Sequence, residues 1–456
     1  MQTKQRLVLI VSILASVVSA IDGFIVNVAL PTISRELGGG LVTQQWTVDA
    51  YLITLGALIL IAGSLSDLFG RKRILMIGLG WFGVASVLCA IAPNGLLLII
   101  ARALQGVGGA LLVPSSLAII IATFKGPEQS KAIGTWTAWL SVATVAGPLL
   151  GGLILAVVSW RWIFAVNVLP IALTMWLLVR VQLVEYVQSG TKIDTLGAIL
   201  CAVGLGAPVF GLIEQPKYGW GDPLVAGPLV AGAILLAVFL WYERRNPAPM
   251  LPLSLFRSRN FAAGNIATLA IYAGLSVSAF LITITLQQVG GYSALMASLA
   301  LLPVSVLMFL LSSRFGALAG RFGPRLFMTV GPLVAAVGFL LMLRVQPQVR
   351  YLADLLPGVL LFGLGLAMTV APLTSAILGG VEPKHAGVAS AVNNAVARIA
   401  GLVAVALVGV ITGPHLDIAG FRRTLVVVTV LLAVGGLVSL VGIRTVRSAP
   451  DIKATS

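Results

Sequence analysis

The sequence predicts an all-α polytopic membrane protein of fourteen transmembrane helices, arranged as six, two and six. Three observations predict it. The 456 residues are 59% hydrophobic and 9% charged, with a mean hydropathy of +1.06, which is more apolar surface than soluble cores can hide. Apolar runs recur at the length that spans lipid, roughly 20 residues each. If the N-terminus is placed inside, twenty of the 29 Lys and Arg residues fall in inward loops, tails and span ends, seven fall on the outward side, and Arg102 and Arg398 lie deep within spans. That bias puts both termini in the cytoplasm and accounts for the net charge of +15 without nucleic acid.

The predicted spans run 7–30, 46–65, 74–92, 96–123, 133–158 and 162–183, then 195–214 and 223–242. After a polar connector come 261–289, 294–313, 326–345, 351–379, 388–412 and 423–443. They divide the chain into an N-terminal six-helix bundle (1–183), two inserted transmembrane helices with a cytoplasmic connector (184–260), a C-terminal six-helix bundle (261–443) and a cytoplasmic tail (444–456). Lys4 and Arg6 ahead of an apolar run superficially resemble a secretory signal. The run is too long for an h-region and no cleavage site with a soluble domain follows, so it is read as a retained first helix.

The two bundles carry an internal repeat, as transporter folds often do. Gly63 and Gly70 after span 2 match Gly316 and Gly323 after span 10, and Gly134 at the start of span 5 matches Gly387 at the start of span 13, all at an offset of 253. Three matches at one offset argue for two related halves with spans 7 and 8 inserted between them. Cys89 and Cys201 fall in apolar runs, where packing is the plain reading.

The stretch Ile21 to Pro31 sets one carboxylate, Asp22, inside the first span. An acid there must be protonated, paired or facing a wet cavity. Counted from span midpoints at 1.5 Å per residue, Asp22 lies roughly 5 Å outward of the bilayer centre, and Asp49 and Arg102 roughly 10 Å. The repeat offset leads to Leu275, Leu302 and Leu355, so the charged cluster belongs to the first half alone. Two readings compete: a titrating site, or a fixed Asp22–Arg102 ion pair that joins helices. Asp49 is either part of the site or a wetted helix-end acid.

Between spans 2 and 3, Gly63 and Gly70 are expected to permit a tight turn, with Asp67 pairing with Arg71 or capping a helix N-terminus. In span 5, Gly147 and Gly151 share a helix face that lets a neighbouring backbone approach, and Pro148 favours a bend. Arg398, about eleven residues into span 13, is roughly 16 Å along it, so it should face a cavity or a partner. Glu214 and Asp354, at outer span ends, are expected to be solvated.

In this order the motifs resemble the major facilitator superfamily, in particular its fourteen-helix drug:proton antiporter branch, the multidrug and antiseptic efflux pumps. Asp22 to Pro31 resembles the branch signature D-x-T-x-V-N-V-A-L-P, Gly63 to Arg73 the superfamily's loop 2–3 motif, Arg102 to Gly109 the span 4 motif, and Gly147 to Gly152 the antiporter motif. Trp160 to Phe164 and Met250 to Leu253 also resemble branch landmarks. The resemblance implies two six-helix bundles rocking about a central cavity, with proton entry driving export of a lipophilic or amphipathic small molecule. It implies that Asp22 carries the proton, that Asp49 is a second acid near the substrate path and that Arg102 tunes the transfer. Gly63, Asp67, Gly70 and Arg71 would form a conformational latch, while Gly147, Pro148, Gly151 and Gly152 would shape an exchange-only cycle. Asn27, Gln105, Asn393, Asn394 and Arg398 would line the substrate cavity.

The same resemblance implies no cofactor beyond the proton as coupling ion and no metal. The implied partners are the lipid bilayer, protons and a small amphipathic substrate, for a monomer in the plasma (inner) membrane. Three departures stand out. Phe24 replaces the usual Thr, Ile399 replaces a usual Gln, and spans 10 and 13 lack the acids of relatives that export organic cations. A dicationic substrate is therefore not expected, and neutral, monocationic and anionic amphiphiles remain open. Export of a lipid or envelope precursor, or proton-coupled solute symport, is the alternative on the same fold. An intramembrane enzyme is disfavoured, because His385 and His415 fall in loops at opposite faces and no Ser/His/Asp or metal-ligand set shares a membrane depth.

Overall fold

The computed structural model describes residues 3–124, 126–181, 194–247, 249–346, 348–379, 381, 386–413 and 416–444. All regular structure among them is helical. This follows from the solvent, because in lipid a segment must satisfy its own backbone, and a helix does so within itself. The first bundle comprises α1 (Thr3–Leu37), α2 (Gly40–Phe69), α3 (Arg71–Ala90), α4 (Gly95–Thr123), α5 (Gly126–Val157) and the broken pair α6 (Arg161–Ala165) and α7 (Val168–Arg180). The inserted hairpin is α8 (Thr195–Tyr218) and α9 (Pro223–Arg245). The second bundle comprises α10 (Arg259–Gln288), α11 (Ala294–Ala300) with α12 (Leu302–Phe322), α13 (Pro324–Met342), α14 (Leu356–Leu378) entered by a π-turn at Tyr351–Leu355, α15 (Ala386–Ala406) with α16 (Val408–Thr412), and α17 (Ile418–Gly442). The predicted boundary at 183/184, both histidines and the tail beyond Arg444 lie outside the described residues.

Fourteen spans are predicted. Among the described residues, twelve helical stretches are long and apolar enough to cross a membrane. The other two long helices are α2 and α5, of 30 and 32 residues. One face of the bundle carries Arg71 to Arg73, Arg244 and Arg245 and is called the basic face below.

The turn expected over 63–73 is shorter than predicted. Helix α2 continues through Gly63 to Phe69, and Gly70 alone, at φ 93°, turns the chain into α3. Gly63 therefore makes no turn, since nothing between it and Gly70 breaks the backbone ladder. Gly323, at φ 86°, turns α12 into α13 in the same way, so the repeat is present in backbone conformation.

The repeat extends into packing. A Cβ on Gly108 would lie 2.7 Å from the Phe82 backbone N, and one on Gly365 would lie 2.6 Å from Ala335 N, so α3/α4 and α13/α14 close on each other alike. Phe82 and Ala335 differ by 253, while Gly108 and Gly365 differ by 257, which places a four-residue insertion between them in the second half. With that correction Arg102 corresponds to Val359 rather than Leu355, and the counterpart is still apolar.

The two halves are stitched together away from the basic face. Gln45 of α2 donates to the carbonyls of Val405 and Ala406 at 2.7 and 3.0 Å. Those acceptors lie where α15 breaks at Leu407. Gln287 of α10 returns a bond to the Val28 carbonyl at 3.1 Å. These three bonds join the first bundle to the second at one level and form a seam. Gly152 belongs to it too, because a Cβ there would lie 2.8 Å from Leu295 Cα.

The inserted hairpin is fastened at the basic face by Asp194, which is 7% exposed. It accepts from Gly197 N–H at 2.8 Å and from Asn246 at 2.7 Å. Burial pushes its carboxyl up, but hydrogen bonds with Glu243, Gly197, Tyr242 and Asn246 outweigh this and hold it below the ordinary range.

The two turn glycines need positive φ, whereas Gly63 and Gly320 have open space around a Cβ. Ala at 70 or 323 should lower stability by about 1–2 kcal/mol, while Ala at 63 or 320 should be neutral or stabilising by up to about 1 kcal/mol, read by thermal unfolding in detergent. For Asp194 the depressed pKa means that its stabilisation is present above about pH 3.9 and fades as pH falls through the folded value. A pH series should therefore show wild type losing stability on acidification more steeply than Asp194→Asn.

Candidate functional site

The charged site lies among α1, α2, α3, α4 and the α6/α7 break. Asp22 and Arg102 are 0% and 1% exposed, and Arg102 Nη1 meets Asp22 Oδ2 at 2.6 Å. Asp22 Oδ1 accepts from Gln105 Nε2 at 2.9 Å and from Asn167 Nδ2 at 2.8 Å. Arg102 Nε donates to the Thr47 carbonyl at 2.9 Å, and Nη1 also reaches Gln105 Oε1 at 2.5 Å. The guanidinium stacks 4.3 Å above the Tyr51 ring, whose hydroxyl shares a 3.0 Å bond with Ser19. Gln105 Nε2 also donates to Ser86 Oγ at 2.9 Å. Both carboxylate oxygens of Asp22 are therefore satisfied, the condition under which a buried ion pair is tolerable.

Local sequence explains these positions. Arg102 and Gln105 are three apart on α4, so both project from one face. Asn167 lies in the turn where α6 gives way to α7, and its side chain points inward at the break. Gly147 and Gly151 press α5 onto the same stretch of α1. A Cβ on Gly147 would lie 2.9 Å from Phe24 Cβ and 3.1 Å from the Ile21 carbonyl, and one on Gly151 would lie 3.0 Å from the Ile25 carbonyl. Pro148 lies between them in a helix unbroken from Gly126 to Val157.

The second half carries no such cluster. With the four-residue insertion counted, Ser86 and Gln105 correspond to Phe339 and Phe362, whose ring centroids are 4.7 Å apart. A polar contact in one half is thus a ring contact in the other.

The other predicted residues divide. Gln105, expected in the cavity, is 0% exposed and belongs to the Asp22 network. Asp49 is not a wetted helix-end acid. It is 0% exposed, and neither oxygen has a hydrogen-bond partner among the described residues. Its helical phase matches Gln45 and Gly56, so it belongs to the α2 face turned toward α15. Asn393 donates to Asn265 at 3.2 Å and Thr268 at 2.8 Å, which binds α15 to α10. Asn394 is exposed, and Asn27 and Arg398 are partly buried. Arg71 donates to the Ala118 carbonyl at 3.0 Å, which ties the turn to α4, while the Asp67 side chain lies outside what is described. Asp354, expected in water, is 8% exposed and accepts from Arg350 N–H at 3.2 Å.

Sequence reasoning missed Asn167, Ser86, Tyr51 and the Thr47 carbonyl. Asn167 had a signal, as an amide inside an otherwise apolar span. Cys89 is more than packing, since its Sγ lies 3.6 Å from Gln105 Oε1. Outside the cluster, Glu36 at the far end of α1 accepts from Trp160 Nε1 at 2.6 Å and pairs with Arg161.

A repeated helical bundle with one sealed ion pair defines a polytopic membrane transporter. The chain belongs to the Major Facilitator Superfamily, whose sequence profile matches residues 12–405. Multidrug resistance protein Stp of Mycobacterium tuberculosis is 33% identical over 91% of this chain and 79% of its own length. Puromycin resistance protein pur8 of Streptomyces alboniger is 36% identical over 89% and 81%. A peptide transporter POT in complex with sulfate has the same fold at a TM-score of 0.70 and 16% identity, over 95% of this chain and 93% of that one.

Removing one member of a buried pair strands the other, at a cost of about 3–5 kcal/mol. Asp22→Leu and Arg102→Met should each lose that much stability, and the double variant should recover most of it. Thermal unfolding of the four proteins in one detergent measures the cycle, and additive losses would contradict the pairing.

Proposed function

We propose that this protein is a proton-coupled antiporter that exports lipophilic or amphipathic small molecules by alternating access. In this reading α2 and α5 also span, giving fourteen helices, and the basic face with both termini is cytoplasmic. The observation that carries the reading is Asp22, sealed from water on the stretch of α1 against which Gly147 and Gly151 pack. Full-length similarity to resistance proteins supports the export direction and the substrate type.

The seam lies on the side away from the basic face, so in this reading the conformation is closed to the outside. A proton on Asp22 removes the charge that holds Arg102. Arg102 also grips the Thr47 carbonyl of α2, and α2 carries Gln45, which bonds the broken end of α15. Protonation at Asp22 is thereby linked through α2 to opening of the seam. Asp49, buried on the seam face, is the second acid in this reading, reached by water when the seam opens. Asp22 and Asp49 are thus the proton-coupling acids, with Arg102 between Asp22 and the gate.

In everted vesicles with an imposed pH gradient, adding a transported dye should discharge the gradient, and Asp22→Asn should abolish the discharge. A fully active Asn variant would remove Asp22 as the carrier. Gly152→Leu, which obstructs the seam but leaves the ion pair alone, should lower turnover while leaving dye binding to purified protein within about twofold.

A further inference from the structure

The only acids deep in the described spans are Asp22 and Asp49, and both are fully buried. Arg398 is not, and among the described residues it makes no hydrogen bond or ion pair. Its Cβ lies 3.8 Å from where a Cβ on Gly56 of the opposite half would be, so it stands between the two bundles rather than against lipid. Asn394 lies one turn nearer the basic face on the same side of α15 and is exposed.

An unpaired guanidinium near the middle of a bilayer is costly, and a planar two-oxygen anion neutralises it best. Neither acid can do so without moving. Asp22 is committed to Arg102, Gln105 and Asn167, and Asp49 lies about two turns along α2 from Gly56, roughly 10 Å away. We infer that Arg398 is a recognition site for the carboxylate, or an equivalent two-oxygen anion, of an amphiphilic substrate, with Asn394 donating beside it. This deepens the export reading and rests on it for the direction of movement. The binding site itself does not depend on proton coupling.

Purified full-length protein in detergent should be titrated with phenylbutyrate, phenylbutyramide and phenylbutylamine, which share one apolar body, using tryptophan fluorescence. The carboxylate should bind at least about tenfold more tightly than the amide, and the amine more weakly than either. Arg398→Gln should abolish the preference for the carboxylate while leaving amide binding within about twofold, and Arg398→Lys should retain part of it. Equal affinities in the wild type, preference for the amine, no binding of any probe, or an unchanged preference in Arg398→Gln would overturn the inference. Loss of gradient discharge by the dye with the carboxylate preference intact would instead sink the antiport reading and leave the site standing.

Discussion

The arrangement of the first bundle depends on making one buried ion pair tolerable. A carboxylate and a guanidinium taken out of water repay their desolvation only when their remaining hydrogen-bonding positions are filled. Here that demand recruits α1, α2, α3, α4 and the α6/α7 break, through Asp22, Thr47, Ser86, Gln105 and Asn167. Few alternatives for those helices keep every partner in reach. The glycines of α5 then bring a further helix against α1 at the same level, so the pair's setting is fixed by close backbone approach as well as by polar bonds.

The two bundles share a backbone plan and differ in chemistry. Gly70 and Gly323 turn alike, and the α3/α4 and α13/α14 contacts close alike. Yet Phe339 and Phe362 meet edge to face where Ser86 and Gln105 bond. Rings fill the second site, so among the described residues it holds no titratable counterpart of the Asp22 network. The lone deep charge of the second bundle, Arg398, stands at its surface against the first.

Much of this was legible in the chain. Span order, the repeat and the asymmetry of charge follow from apolar run length and spacing, which lipid imposes directly. The depth count brought Asp22 and Arg102 to neighbouring levels, but depth says nothing of azimuth. It therefore could not distinguish Gln105 in the cavity from Gln105 behind it, or foresee that Asp49 is buried on the seam face. The turn at 63–73 was read too long because glycine marks permission rather than a break, and Gly63 stays within helix α2. Asn167 was overlooked because a helix interruption is not visible in hydropathy.

The seam has a further consequence. It is held by three hydrogen bonds from two neutral amides to main-chain carbonyls. At about 1 kcal/mol net each, their sum is close to the 2.3 kcal/mol that one elementary charge gains in crossing 100 mV. The polar part of this closure is therefore matched in strength to a single charge in the field of an energised membrane.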